Sequence, residues 1–122
     1  TGALTSVGLP VAAGTGPISV SVDPSGKFAY VANNGSHNVS AYSINATTGA
    51  LTSVGAAAAS GFSPGSITVD SSGRFAYVAN VGPGTVSIRA IDTMTGALTN
   101  VGADVTTGGS QPYSITTTGT IQ

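Results

Sequence analysis

A chain of 122 residues can build one small domain with its own core and is too short for two ordinary enzyme domains. Three basic residues, four acidic ones and a formal net charge of -1 exclude an electrostatic grip on nucleic acid or insertion into an anionic membrane surface. With no cysteine, thiol catalysis, thiolate metal sites and disulfide staples are excluded, and 40% hydrophobic content supplies the apolar surface that a disordered chain lacks.

The chain opens Thr1-Gly2-Ala3-Leu4-Thr5, with neither a basic nor an apolar leader segment, and reads as an excised piece. Residues 3–7 are expected as a lone strand. The first full set of strands follows. Residues 18–22 (Ile-Ser-Val-Ser-Val) alternate; Asp23-Pro24-Ser25-Gly26 makes a turn in which Asp caps amides, Pro presets φ and Gly takes the left-handed position. Residues 28–32 (Phe-Ala-Tyr-Val-Ala) are apolar on both faces, which demands cover on both sides. Asn33-Asn34-Gly35-Ser36-His37-Asn38 turns into residues 39–44, and Thr47-Thr48-Gly49 turns into residues 50–54. The result is four antiparallel strands in about one 47-residue unit.

That unit repeats. Thr1-Gly2-Ala3-Leu4-Thr5-Ser6-Val7-Gly8 recurs from Thr48 and again from Thr95, a spacing of 47 residues each time. Pro24-Ser25-Gly26-Lys27-Phe28-Ala29-Tyr30-Val31-Ala32-Asn33 returns as Ser71-Ser72-Gly73-Arg74-Phe75-Ala76-Tyr77-Val78-Ala79-Asn80. Full units are expected at residues 18–54 and 66–101, with a further partial strand at 113–118, all within one repeat domain spanning 1–122. A small sheet that is apolar on both faces must stack on copies of itself, so the fold class is all-β, with the sheets arranged as β-propeller blades. Small residues such as Gly16, Ala29 and Ala32 suit the crowded inner part of a blade.

The stretch from Asp23 to Asn33, followed by Asn38-Val39-Ser40-Ala41-Tyr42 and Thr48-Gly49-Ala50-Leu51, resembles the YVTN-type repeat of bacterial surface-layer propellers and of lactonase-family seven-bladed propellers. Nearly the whole chain is covered. The resemblance implies a blade scaffold and, on the lactonase side, hydrolysis of sugar lactones by polar and charged residues projecting into a central channel.

Propellers carry roughly four to eight blades, and about 2.6 repeats fall short of that. The chain is therefore expected either to be part of a longer propeller or to self-associate into a closed ring of two or three copies; an open, solenoid-like stack held by a partner is the third arrangement.

Single residues offer little chemistry. His37, the sole histidine, has no cysteine or glutamate to share a metal with and reads as a turn residue. Asp23 and Asp70 hold equivalent positions and read as turn caps rather than calcium ligands. Arg89 has no counterpart in the other copy. Lys27 and Arg74 each follow a turn glycine, where a charge discourages edge pairing. Gly14-Thr15-Gly16 and Gly82-Pro83-Gly84 lead into no helix that could hold a phosphate. Three Asn-x-Ser/Thr sequons, at Asn34, Asn38 and Asn45, read as turn chemistry. Tyr30, Tyr42, Tyr77, Phe28 and Phe75 are assigned to packing.

No catalytic residue, metal ligand or cofactor is assigned. The reading favours a non-catalytic, exported scaffold or binding module at the cell surface or outside the cell, with a lactonase-like hydrolase as the alternative. A polar cluster containing His37, Arg89 or an aspartate in the channel would mark the enzyme. Exposed Asn33, Asn34, Asn80 and tyrosines at the channel mouth would mark the binding module.

Overall fold

A computed structural model of the protein describes residues 1–109 and 112–118. It contains two antiparallel sheets built to one plan. The first comprises β1 (Pro17–Val22), β2 (Phe28–Asn33), β3 (Asn38–Ile44), β4 (Leu51–Ser53) and β5 (Ala58–Ala59). The second comprises β6 (Pro64–Val69), β7 (Phe75–Asn80), β8 (Thr85–Ile91), β9 (Leu98–Asn100) and β10 (Val105–Thr106). Each sheet is a meander whose register repeats, Val20 opposite Val31 in one and Ile67 opposite Val78 in the other. Each inner hairpin also carries an irregularity just after its proline, between Pro17 and Ser19 and between Pro64 and Ser66.

The outermost strand of each blade is broken in two. β4 and β5 both pair with β3, and β9 and β10 both pair with β8. Gly55 and Gly102, at φ of 63° and 68°, make the break, a left-handed turn that glycine adopts without steric cost. Val54 N and Val101 N donate to Ala41 O and Ile88 O, so the pairing runs up to the break, and β5 and β10 resume it beyond.

The core lies between the blades. Phe28, Tyr30, Ala32, Val39 and Ala41 of the first face Ile67, Val69, Ala76, Val78 and Ile91 of the second. β1 and β6 run side by side at the inner edge, and the amides of Ile67 and Val69 each donate to a serine hydroxyl of β1, Ser19 and Ser21, at 3.2 Å. The innermost strand is thus the Ser-alternating one; Ala29 and Ala32 lie on the second strand and are buried there. Tyr30, fully buried, donates from its hydroxyl to Gly96 O at 2.8 Å in the β8–β9 turn. A side chain at Gly96 would overlap the Phe28 ring.

The two blades do not close a ring. Val20 and Val22, equivalents of the buried Ile67 and Val69, are 65% and 53% exposed on the far face of the first blade. Residues 112–118 run beside β6 without a strand ladder, and Thr117 Oγ1 donates to Val69 O at 3.4 Å. Residues 3–7, expected as a strand, join neither sheet, and Leu4 is almost fully exposed. In the full blades the matching segment pairs with β3 or β8, and residues 3–7 have no such partner strand beside them.

Candidate functional site

The blades present two end faces. One carries the β1–β2 and β6–β7 hairpins, where both candidate aspartates sit. Asp23 Oδ1 accepts from the Lys27 and Phe28 amides at 2.9 and 3.0 Å, and Oδ2 accepts from Ser25 Oγ at 2.6 Å. Asp70 repeats the cap with Ser72 Oγ at 2.7 Å and the Arg74 and Phe75 amides at 3.2 and 3.3 Å. Burial pushes both carboxyls up, but the serine hydroxyls and the amides outweigh it and hold both below the ordinary 3.8. Burial, and then the Asp23 charge, raises the nearby Tyr30 phenol. A cleft of about 150 Å³ opens between the turns, lined by Asp23, Lys27, Ser72 and Thr93 among others. The carboxylate oxygens facing it are engaged in caps. Among the described residues no group of three His, Cys, Asp or Glu comes together to hold a metal.

Arg89 is explained by the fold. Its Nε and Nη2 donate to Ala59 O and its Nη1 to Asn100 Oδ1 and Ile88 O, which ties β8 to the tail of the first blade. The equivalent residue in the first copy is Tyr42, whose hydroxyl donates to Ala12 O at 2.6 Å, and Ala12 is the equivalent of Ala59. The two side chains differ in chemistry and perform one task. Arg89 is 93% buried in this contact.

Asn33 and Asn80, expected at an exposed channel mouth, are completely buried. Asn33 Nδ2 donates to Asn38 Oδ1 and Ser40 Oγ, and Asn33 Oδ1 accepts from Gly14 N. Asn80 Nδ2 donates to Thr85 Oγ1 and Ser87 Oγ. Asparagine ends the second strand because its amide crosslinks the turn to the third strand where no water reaches. The tyrosines at 30 and 42 are likewise interior, with their hydroxyls bonded to backbone.

The opposite end face, with the β2–β3 turn and the connection into β6, carries the unusual geometry. His37 and Ser63 have φ of 57° and 53°, and they are the non-glycine residues with positive φ among those described. Each stands where the other copy has glycine: Gly84 matches His37, and Gly16 matches Ser63. Holding two β-carbons in the left-handed region costs about 1 kcal/mol or more apiece. The two residues meet. Ser63 N donates to His37 Nδ1 at 3.0 Å, and Ser60 N donates to His37 O at 3.1 Å.

With Nδ1 accepting, the neutral imidazole carries its proton on Nε2, a donor with no partner among the described residues. The Phe62 ring lies 4.6 Å from the imidazole, tilted by 58°, and is 68% exposed. Asn34 completes the corner, its Nδ2 donating to Pro64 O at 3.2 Å. Phe62 and Ser63 were missed as site residues, although a copy-by-copy alignment of the repeat marks both where Thr15 and Gly16 are replaced.

The family model described as lactonase, 7-bladed β-propeller, matches residues 3–114. The chain belongs to this family. Solved structures share the lactonase-family fold. A candidate 6-phosphogluconolactonase from Bacteroides fragilis NCTC 9343 is 26% identical with a TM-score of 0.72, over 78% of this chain and 26% of that one. A protein from Lactobacillus plantarum is 26% identical with a TM-score of 0.74, over 86% and 32%. The periplasmic gluconolactonase of Pseudomonas aeruginosa, 24% identical with a TM-score of 0.66 over 72% and 24%, is similar in fold. No curated protein matches. The chain spans about a quarter to a third of these three structures.

Lactonase-family membership corrects the expectation of a non-catalytic scaffold and of a protein that is not an enzyme. A family model named for a hydrolytic activity covers nearly the whole chain, and the alternative reading is the better supported. Two blades alone hold no complete catalytic set, and the expectation rested on that. A propeller site gathers side chains from several blades, so a two-blade stretch with one histidine and no glutamate is compatible with an enzyme.

Proposed function

We propose that the propeller to which these two blades belong hydrolyses sugar lactones. Family membership over residues 3–114 carries the reading. Water adds to the lactone carbonyl, the ring C–O bond breaks, and the departing alkoxide takes a proton to give the open hydroxy acid. His37 suits one part of that sequence: its Nε2–H is a fixed donor, oriented by the Ser63 amide, for a lactone oxygen as charge builds on it. The remaining groups come from further blades, supplied by a longer chain or by two or three copies in a ring, because the open face of β1 leaves this pair unclosed.

The repeat from Asp23 to Asn33 supports the finer assignment to YVTN-type propellers. The Ser/Thr/Asn-rich surface supports a place in the cell envelope or outside the cell, in keeping with the periplasmic source of one fold relative.

The test is acid release from glucono-δ-lactone by the assembled propeller, with spontaneous hydrolysis subtracted. Protein-dependent turnover is expected, and His37→Ala is expected to lower kcat/KM about a hundredfold. No turnover above the spontaneous rate would refute the reading.

A further inference from the structure

We propose that Phe62, His37 and Asn34 form a subsite that binds the ring of a sugar or sugar lactone by stacking its C–H face on Phe62. The substrate class rests on the lactonase reading; the subsite itself is argued from the chain. Phe62 is held out by its surroundings. A Cβ at the preceding residue, Gly61, would collide with the Asn80 side chain, so the backbone there is pressed against a buried amide. Ser63, which follows, is locked by its amide to His37 Nδ1, and its carbonyl accepts from Val81 N at 2.9 Å. The backbone on either side of Phe62 is therefore fixed by both blades, while the ring remains 68% exposed.

Thr15 occupies the equivalent position of the first copy, so the repeat requires no aromatic there. Three departures from the repeat, Phe62, Ser63 and His37, meet at one point on the seam. The tilted imidazole walls one side of the Phe62 ring and leaves the rest of its surface open. A pyranose or δ-lactone ring matches this shape: apolar C–H groups on its face, hydroxyls around its edge. His37 Nε2–H donates to an edge oxygen, and Asn34 Oδ1, whose amide nitrogen is committed to Pro64 O, accepts from a hydroxyl.

His37 is the only histidine, so its imidazole gives one unambiguous set of NMR signals in the 122-residue chain. The chain is titrated with 1,5-anhydroglucitol, a pyranose with no lactone to hydrolyse. Saturable shifts of the His37 and Phe62 ring signals are expected, weakened at least tenfold by Phe62→Leu and retained by Phe62→Tyr, with the Val78 methyl signals unchanged in both variants to show an intact seam. Absence of a saturable response overturns the subsite, as does equal affinity in Phe62→Leu. Signals that move with protein concentration and not with the sugar also overturn it, since another copy would then cover Phe62. Sugar binding without lactone turnover keeps the subsite and removes the lactonase reading; turnover with no His37 response does the reverse.

Discussion

The two blades are near copies in sequence and unlike in environment. Val20 and Ile67 occupy the same place on the innermost strand, yet the first is 65% exposed and the second 4%. Tyr30 is sealed and bonded to Gly96 O, whereas Tyr77, its counterpart, faces a cleft bordered by residues 115–118. One sequence pattern thus produces a blade, and the neighbour produces the core. Covering an aliphatic side chain at the seam contributes about 2 kcal/mol, so a blade with one bare face lacks several kcal/mol that its sequence is built to gain.

The largest asymmetry is expected at paired turn glycines. Gly49 and Gly96 are equivalent, with φ of 80° and 81°, but a Cβ at Gly49 meets nothing while one at Gly96 meets the Phe28 ring. Gly49→Ala should cost about 1 kcal/mol for the left-handed backbone alone. Gly96→Ala should cost about 3 kcal/mol, backbone strain plus overpacking at the seam. Urea unfolding of both variants measures the difference. Equal losses would mean that the seam does not press on that turn.

A smaller effect is expected from acid. Asp23 and Asp70 bond as carboxylates, and both folded values lie below the ordinary 3.8. A depressed folded value means that the stabilisation is complete above the unfolded value and fades as pH falls through the folded ones. Stability should therefore hold from neutral pH to about 5 and decline below about 4. Asp23→Asn and Asp70→Asn should each flatten that decline in a pH series of thermal melts. A decline that stays unchanged in both variants would remove the caps from the acid response.

Much of this was legible beforehand. The 47-residue period, the Asp-Pro-Ser-Gly hairpin and the Phe-Ala-Tyr-Val-Ala strand are local patterns with a direct backbone meaning, and the sheets follow them. The continuation of the outer strands into β5 and β10 was not legible, because Ala56–Ala59 shows no alternation and the segment at 105–106 is too short to signal. Arg89 has no counterpart of its own residue type in the other copy, so its role is hidden in the sequence; the backbone carbonyl it holds, not its charge, is what the copies share. His37 and Ser63 lie 26 residues apart, and only the passage from one blade to the next joins them.

The inner-strand face is open in the first blade and covered in the second. Since the chain has no cysteine, Val20→Cys and Ile67→Cys each introduce a unique thiol, and the measurement is the rate at which each reacts with a bulky maleimide at low protein concentration. The thiol at position 20 is expected to react at least tenfold faster than the one at 67, and to become protected when further blades or copies close the ring. Equal rates in the two-blade chain would contradict it.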